Sequence, residues 1–303
     1  MKLMYKFILA GAALMALASC NKELNQSVPF ETADAENSEI VFTTDSFNAD
    51  VLTKAGPSQV SSLSSFYVLA TTGTPGATTG DSAEAAAFTS STFSKDGSTN
   101  NYKGGKYWPK DDPSYHFYAA SKALTLASGA VTFKPSATIA DDVYAYLAAP
   151  SFKVSNALTF NHIYAQVGKC TISAPSGYTV SNLTVKITPK LPTANATFNV
   201  RTGTWSTTAS HYTNGSEVTL CTATGSTTDN DLWLVPGSYT LSASYTLTKT
   251  PYVENFTKTS TVNLVMGKNN NISATLPAGN AADIVFTVTV TPWSDNNITA
   301  SFN

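Results

Sequence analysis

In Phe286-Thr287-Val288-Thr289-Val290-Thr291, apolar and hydroxyl side chains alternate without a break. Tyr239, Leu241, Ala243, Tyr245 and Leu247 alternate in the same way with Thr240, Ser242, Ser244 and Thr246. A period of two sends one set to each face of an extended strand, whereas a helix would spread both sets around its surface. The apolar face must find a second layer and the hydroxyl face can meet water, which describes antiparallel sheets half-buried in a β-protein. Helical periodicity is nearly absent after the first twenty residues, so the chain reads as all-β.

Candidate strands in the first half are 39–44, 65–72, 115–121, 130–133 and 142–149. Residues 73–105, rich in Gly, Ser and Thr, read as a mobile loop with room for a short strand. In the second half the strands are 157–173, 183–189, 196–200, 217–221, 231–237, 239–248, 258–265 and 284–293. Turn signals at Asn214-Gly215, Pro236-Gly237 and Met266–Asn269 separate several of them. Many short strands with regular turns make sandwiches or partly open barrels. Two in tandem fit the length, 38–155 and 156–303, joined near Pro150–Asn156. Ile163, Ala165 and Val167 share a parity that Cys170 and Ile172 break, which predicts a β-bulge at Gly168-Lys169.

Chemistry is sparse. Net charge is −2, charged residues make up 13%, and Arg201 is the sole arginine. That composition argues against nucleic-acid or phosphoryl recognition, which relies on repeated guanidinium forks. His116, His162 and His211 are scattered, and no HExxH, paired CxxC, GxSxG or phosphate loop occurs. Each histidine reads as packed on a sheet with one hydrogen bond. Asp111-Asp112 and Asp141-Asp142 read as turn builders, since neighbours on a strand face opposite ways. No metal site, cofactor or catalytic residue is expected, and the chain does not read as an enzyme. Tyr102, Tyr107, Trp108, Tyr115, Phe117 and Tyr118 form either a sugar platform or core, and shared parity favours core.

The N-terminus carries an address. Lys2 and Lys6 precede a thirteen-residue apolar run, Phe7–Ser19. That is short of the roughly 20 residues a spanning helix needs, and it reads as a secretory signal. An ordinary signal with an incidental cysteine is the plain alternative. Leu17-Ala18-Ser19-Cys20 resembles the bacterial lipobox, in which the chain is cut before the cysteine and its thiol is diacylated; two acyl chains anchor stably where one is marginal. Residues 1–19 are then the lipoprotein signal peptide and Cys20 the lipidation site. Asn21, Lys22 and Glu23 resemble the start of surface lipoproteins of Bacteroides-like bacteria. Cys170 and Cys221 remain, either as a disulfide or as two buried thiols.

Taken in order, the lipobox, the early strand Glu39–Thr44, Val51–Ala55, YWPKDDPSYHFYAAS (107–121), FNHIYAQV (160–167), LWLVPG (232–237) and VTVTPW (288–293) resemble the fimbrillins, subunits of the type V pili of Bacteroides-like bacteria. The resemblance spans essentially the whole chain and implies two tandem transthyretin-like β-sandwich domains after the lipoprotein signal peptide. It implies export to the outer-membrane surface as a lipoprotein, then removal of the N-terminal segment 20–54 with its first strand by a trypsin-like protease. A strand of a neighbouring subunit fills the groove so opened. Family members are usually cut after arginine; here the matching position is Lys54, before Ala55. Other pilus subunits are the implied partners, in a homo-polymer or mixed fibre, with an adhesion ligand on a host or another bacterium. A surface-tethered glycan-binding lipoprotein is the alternative from another class.

Two further features complete the reading. Asp81-Ser82-Ala83 matches a three-residue O-glycosylation pattern at Ser82, although a plain solvated loop explains it as well. In the tail, Ile298, Ala300 and Phe302 alternate with Thr299, Ser301 and Asn303. Residues 294–303 are thus either a last edge strand of the chain's own sheet or the donor strand for the next subunit.

Overall fold

The computed structural model describes residues 38–47, 63–73, 85–109, 115–136, 141–148, 150–227, 230, 232–279 and 282–291. Nearly all of them are in strands or the turns between strands. The first nine strands are β1 (Glu39–Phe47), β2 (Ser65–Thr72), β3 (Ala85–Lys95), β4 (Asn101–Tyr107), β5 (Tyr115–Ala120), β6 (Leu124–Ala127), β7 (Ala130–Phe133), β8 (Val143–Leu147) and β9 (Asn156–His162). Seven of them close into a barrel in the order β1-β4-β3-β2-β5-β8-β9. Its interior is aromatic: Phe42, Phe66, Phe93, Phe117 and Phe160 are fully or almost fully buried, with Ile40, Val68 and Leu158 between them. Closure leaves this sheet no open edge, the feature that most protects a β-protein from unwanted pairing.

Beyond the barrel the chain forms β10 (Ala165–Ser173), β11 (Thr179–Ile187), β12 (Lys190–Pro192), β13 (Phe198–Asn199), β14 (Thr204–Trp205), β15 (Tyr212–Asn214), β16 (Val218–Cys221), β17 (Gly225–Ser226), β18 (Leu232–Leu234), β19 (Gly237–Lys249), β20 (Tyr252–Leu264), β21 (Asn269–Thr275) and β22 (Thr287–Thr291). Two sheets face each other as a sandwich. One runs β17-β10-β21-β22 with β18 also on β10, and the other runs β16-β11-β19-β20. The alternating apolar set of β19 (Tyr239, Leu241, Ala243, Tyr245, Leu247) lies in the core between them, as the period of two requires.

A third core joins the parts. Leu69, Tyr118 and Ala120, on the outer side of the barrel wall, meet Val131 and Phe133 of β7 and Ile163, Tyr164, Phe198 and Val200. The chain thereby covers β5 on both faces, and every one of its six residues is buried. β6 and β7 form a hairpin that continues through β13 to β14 in a separate sheet.

Several expectations change. Residues 73–105 contain two long strands, β3 and β4, not a loop with at most a short one; only 74–84 of that stretch lie outside the described residues. Phe88 opposes Ala70 and Ser91 opposes Val68, so β3 carries an extra residue, and its two inward aromatics, Phe88 and Phe93, have opposite parity. The stretch 157–173 is two strands: β9 pairs with β1 and β8 in the barrel, and after Ile163-Tyr164 β10 pairs in the sandwich. The crossing therefore falls after β9 and not at Pro150–Asn156. Asn269 opens β21, which runs parallel to β10, where only a turn was expected. The bulge at Gly168-Lys169 is present, since Val167 pairs with Asn270 and Cys170 with Ile272. Cys170 and Cys221 are two buried thiols.

Candidate functional site

β1 is built into the barrel from both sides. Its alternation puts Ile40 and Phe42 inward, and both are 0% exposed. Phe42 meets Phe93 with ring centroids 5.2 Å apart and Phe66 at 6.4 Å, both edge-on. On one side β1 runs antiparallel to β4, Phe42 opposite Tyr102 and Thr43 opposite Asn101. On the other it runs parallel to β9, Phe42 opposite Asn156 and Phe47 opposite Phe160. At its start the Trp108 amide donates to the Ser38 carbonyl at 2.9 Å, and the Gly105 amide donates to Glu39 Oε1 at 3.3 Å.

The groove that β1 fills is built by its neighbours. Phe66, Phe93, Tyr102, Phe117 and Phe160 form the floor. Tyr102 is fixed by its hydroxyl, which donates to the Leu63 carbonyl at 2.7 Å. Without β1, that apolar floor and the backbone rows of β4 and β9 would face water, and a strand with apolar residues at period two is the shape that fits. Phe93 was missed in the sequence as part of this floor. Its five-residue spacing from Phe88 in a Ser/Thr-rich run is the signal a bulged strand leaves.

Other sequence-flagged groups are structural. Asn156 closes the turn before β9: its side-chain amide donates to the carbonyls of Ser151 and Val154, and its Oδ1 accepts from the Ser151 amide. His162, expected on a sheet surface, is instead buried with its Nδ1 hydrogen-bonded to Asp141 and its ring edge-on to Trp233 at 5.8 Å. Asp142 accepts from the Ser136 amide at 2.8 Å and from Ser121 Oγ at 3.1 Å, with Lys122 Nζ 3.7 Å away. Burial raises its carboxyl above the ordinary value, and those three partners pull the other way. Asp141 and Asp142 thus clamp the point where the chain leaves the barrel, for the Ile163 amide donates to the Asp142 carbonyl. Asp111 and Asp112 lie outside the described residues.

Of the aromatic run, Tyr102, Trp108, Tyr115, Phe117 and Tyr118 are buried in the cores. Among the described residues no group of His, Cys, Asp and Glu is placed to hold a metal ion, and no helix is long and apolar enough to cross a membrane. Cys20, Lys54, Ala55, Ser82, Ile298, Ala300 and Phe302 lie outside the described residues. Lys54 and Ala55 nevertheless fall, in sequence, between the end of β1 and the start of β2.

A search of curated proteins returns no significant match. Among solved structures, a Bacteroides eggerthii protein assigned provisionally to cell adhesion overlaps 86% of this chain and 98% of its own, with 11% sequence identity and a TM-score of 0.41. So loose an overlap adds nothing to the architecture described above. The fimbrillin-like family matches residues 53–293, a span that begins beside Lys54 and leaves out both β1 and the tail. By that match, which covers most of its length, the chain belongs to the fimbrillin-like family.

Proposed function

We propose that this chain is a non-enzymatic structural subunit of a cell-surface pilus that supports adhesion. It is exported as a lipoprotein on Cys20, reaches the outer-membrane surface, and assembles by protease-triggered strand exchange. Its two tandem domains divide the work: the first holds the exchangeable strand, the second leads to the tail.

The observation that carries the reading is β1. It is the barrel's first strand in the chain, its inward side chains are Ile40 and Phe42, and it bridges β4 and β9. A cut between Lys54 and Ala55 severs its only covalent link to β2. The tail 294–303 then offers Ile298, Ala300 and Phe302 at the same period to the groove of the next subunit. Ten residues reach at most ~33–36 Å when extended, enough to run the length of a nine-residue strand.

Two measurements on intact cells test this. Mass spectrometry of the surface protein should find acylated Cys20 before processing and a free Ala55 amine after it. Deleting 294–303 should leave a secreted, processed subunit that gives no SDS-resistant, heat-sensitive ladder. Fibres formed by the truncated protein would exclude the tail as donor, and a monomer retained on polysaccharide gels would favour the tethered glycan binder.

A further inference from the structure

Cys170 and Cys221 sit on opposite sheets of the sandwich, in β10 and β16, with their sulfurs 3.5 Å apart. They stand 51 positions apart in the chain, which returns through an arch that fixes this meeting. β16 ends at Cys221, the chain turns through Thr222–Thr224, and β17 pairs with β10 at Ile172 and Thr171. Thr227 then grips the backbone of Cys170 from both sides: its amide donates to the Cys170 carbonyl at 3.1 Å, and its Oγ1 accepts from the Cys170 amide at 2.9 Å. β16 is held independently by β11, with Cys221 opposite Val185. Two backbones anchored in different sheets therefore hold the two thiols in contact.

Access is one-sided. Cys170 is fully enclosed, while Cys221 sits on the wall of a surface groove of about 400 Å³ formed by residues 219–227 and Asn230. The Cys170 thiol donates to the Cys221 sulfur, and the hydrogen bond from Val185 adds to it, so Cys221 is held below the usual thiol value despite burial. Cys170 is pushed up by the same hydrogen bond, by burial, and by the charge it faces. The thiol nearer the groove is also the better nucleophile.

We propose that Cys170 and Cys221 are a redox site: a dithiol oxidised, through the groove beside Cys221, to a disulfide that staples the two sheets of the sandwich. The co-reactant is a disulfide, small or protein-borne. The Cys221 thiolate attacks one sulfur of that disulfide, forming a mixed disulfide and expelling the other sulfur as a thiolate. Cys170, deprotonated as it attacks, then bonds to Cys221 Sγ and expels the second sulfur. The protein dithiol gives up two electrons and two protons, and the oxidant disulfide leaves as a dithiol or two thiols. Closing from 3.5 Å to a bond of about 2.0 Å asks each sulfur to move less than about 1 Å. A subunit under tension in a fibre gains from a covalent tie between the sheets.

The oxidising setting rests on the export reading above, but the chemistry can be tested apart from it. The full chain carrying Cys20→Ala, purified folded and reduced, is treated with glutathione disulfide. The expected product has lost two hydrogen masses, and its non-reducing digest joins the Cys170 peptide to the Cys221 peptide. Its melting temperature should rise by on the order of 10 °C. In Cys170→Ser a glutathione adduct should accumulate on Cys221, whereas in Cys221→Ser the Cys170 thiol should stay unmodified until the protein is unfolded. Two thiols that remain alkylatable only after denaturation, or a lasting adduct on Cys221 in the chain that retains Cys170, would overturn the redox site. Recovery of the native chain from the cytoplasm would overturn the export reading while leaving the in vitro result to stand or fall by itself.

Discussion

The ring of Phe42 meets that of Phe117 edge-on, with centroids 5.0 Å apart and planes at 82°. Phe42 belongs to β1 and Phe117 to β5, so this contact crosses the barrel interior and does not run along the wall. The quadrupoles of the two rings favour that geometry, and it fixes how deep β1 sits.

Phe42→Ala in the uncut protein should cost about 3–5 kcal/mol, the usual range for a buried aromatic truncated in a core that cannot collapse. Urea denaturation followed by near-ultraviolet circular dichroism reads the loss. Thr43→Ala, one residue on and only half-buried, should stay within about 0.5 kcal/mol. Equal effects at the two positions would mean that β1 does not deliver Phe42 to the interior.

Gly168 tests the bulge. A Cβ placed there would overlap Asn269 Oδ1 and crowd Asn271 Oδ1, which already accepts from the Lys169 amide. The Gly168 carbonyl is itself held by Asn230 Nδ2 at 2.8 Å, so the backbone cannot easily retreat. Gly168→Ala should therefore cost about 1–3 kcal/mol, as an overpacked site does. Gly279→Ala, where nothing lies within reach of the added atom, is the matched control and should be neutral.

How much of this was legible follows from which residues carry the period. β19 was readable because its apolar side chains keep one parity throughout, and β2 because Phe66–Ala70 is an unbroken apolar run, buried on both faces. β3 was not, because its bulge moves Phe88 and Phe93 out of phase and the residues between them are Ser and Thr. β21 was missed for a different reason: Asn270, fully buried, stands where an apolar residue would have marked a strand. Its amide donates to the carbonyls of Gln166, Val265 and Lys268, and its Oδ1 accepts from the Val265 amide. A buried asparagine satisfied by four backbone groups looks like a turn residue in sequence. The Asp141–His162 pair and the Cys170–Cys221 contact join residues far apart in the chain, and local pattern carries no trace of either. β1 was legible as a strand, with Ile40 and Phe42 or, on the other phase, Val41 facing inward; its closure of a barrel against a parallel β9 was not.

Asp142 gives a pH dependence with a definite sign. Burial raises its pKa above the unfolded value, so the folded protein binds that proton more tightly. The stabilisation from this group is complete below about pH 4, near the unfolded value, and is lost as pH rises through the higher folded value. Asp142→Asn removes the titration. The stability of the native chain minus that of the variant, measured by urea denaturation at a series of pH values, should therefore fall as pH increases from 3 to 7. A difference that grows with pH would show that Ser136, Ser121 and Lys122 outweigh burial.

The groove itself can be emptied and refilled. Ile40 and Phe42, fully buried, are each worth ~1.5–3 kcal/mol, and each ladder hydrogen bond to β4 or β9 adds about 0.5–1.5 kcal/mol net. Removing β1 thus withdraws roughly 5–10 kcal/mol, comparable to the whole stability of a domain. A chain beginning at Ala55 should lose its near-ultraviolet signal and expose apolar surface to a hydrophobic dye. A synthetic peptide of residues 38–47, added in trans, should restore the signal and raise the melting temperature with peptide concentration, as binding to the folded form alone demands. The same peptide with Asp in place of both Ile40 and Phe42 should do neither, because two carboxylates cannot enter a floor made of Phe66, Phe93, Phe117 and Phe160. A peptide of residues 294–303 should rescue the same fragment if the tail is the natural occupant. Should the fragment from Ala55 prove as stable as the uncut chain, β1 is not what holds the barrel shut, and exchange of that strand cannot drive assembly.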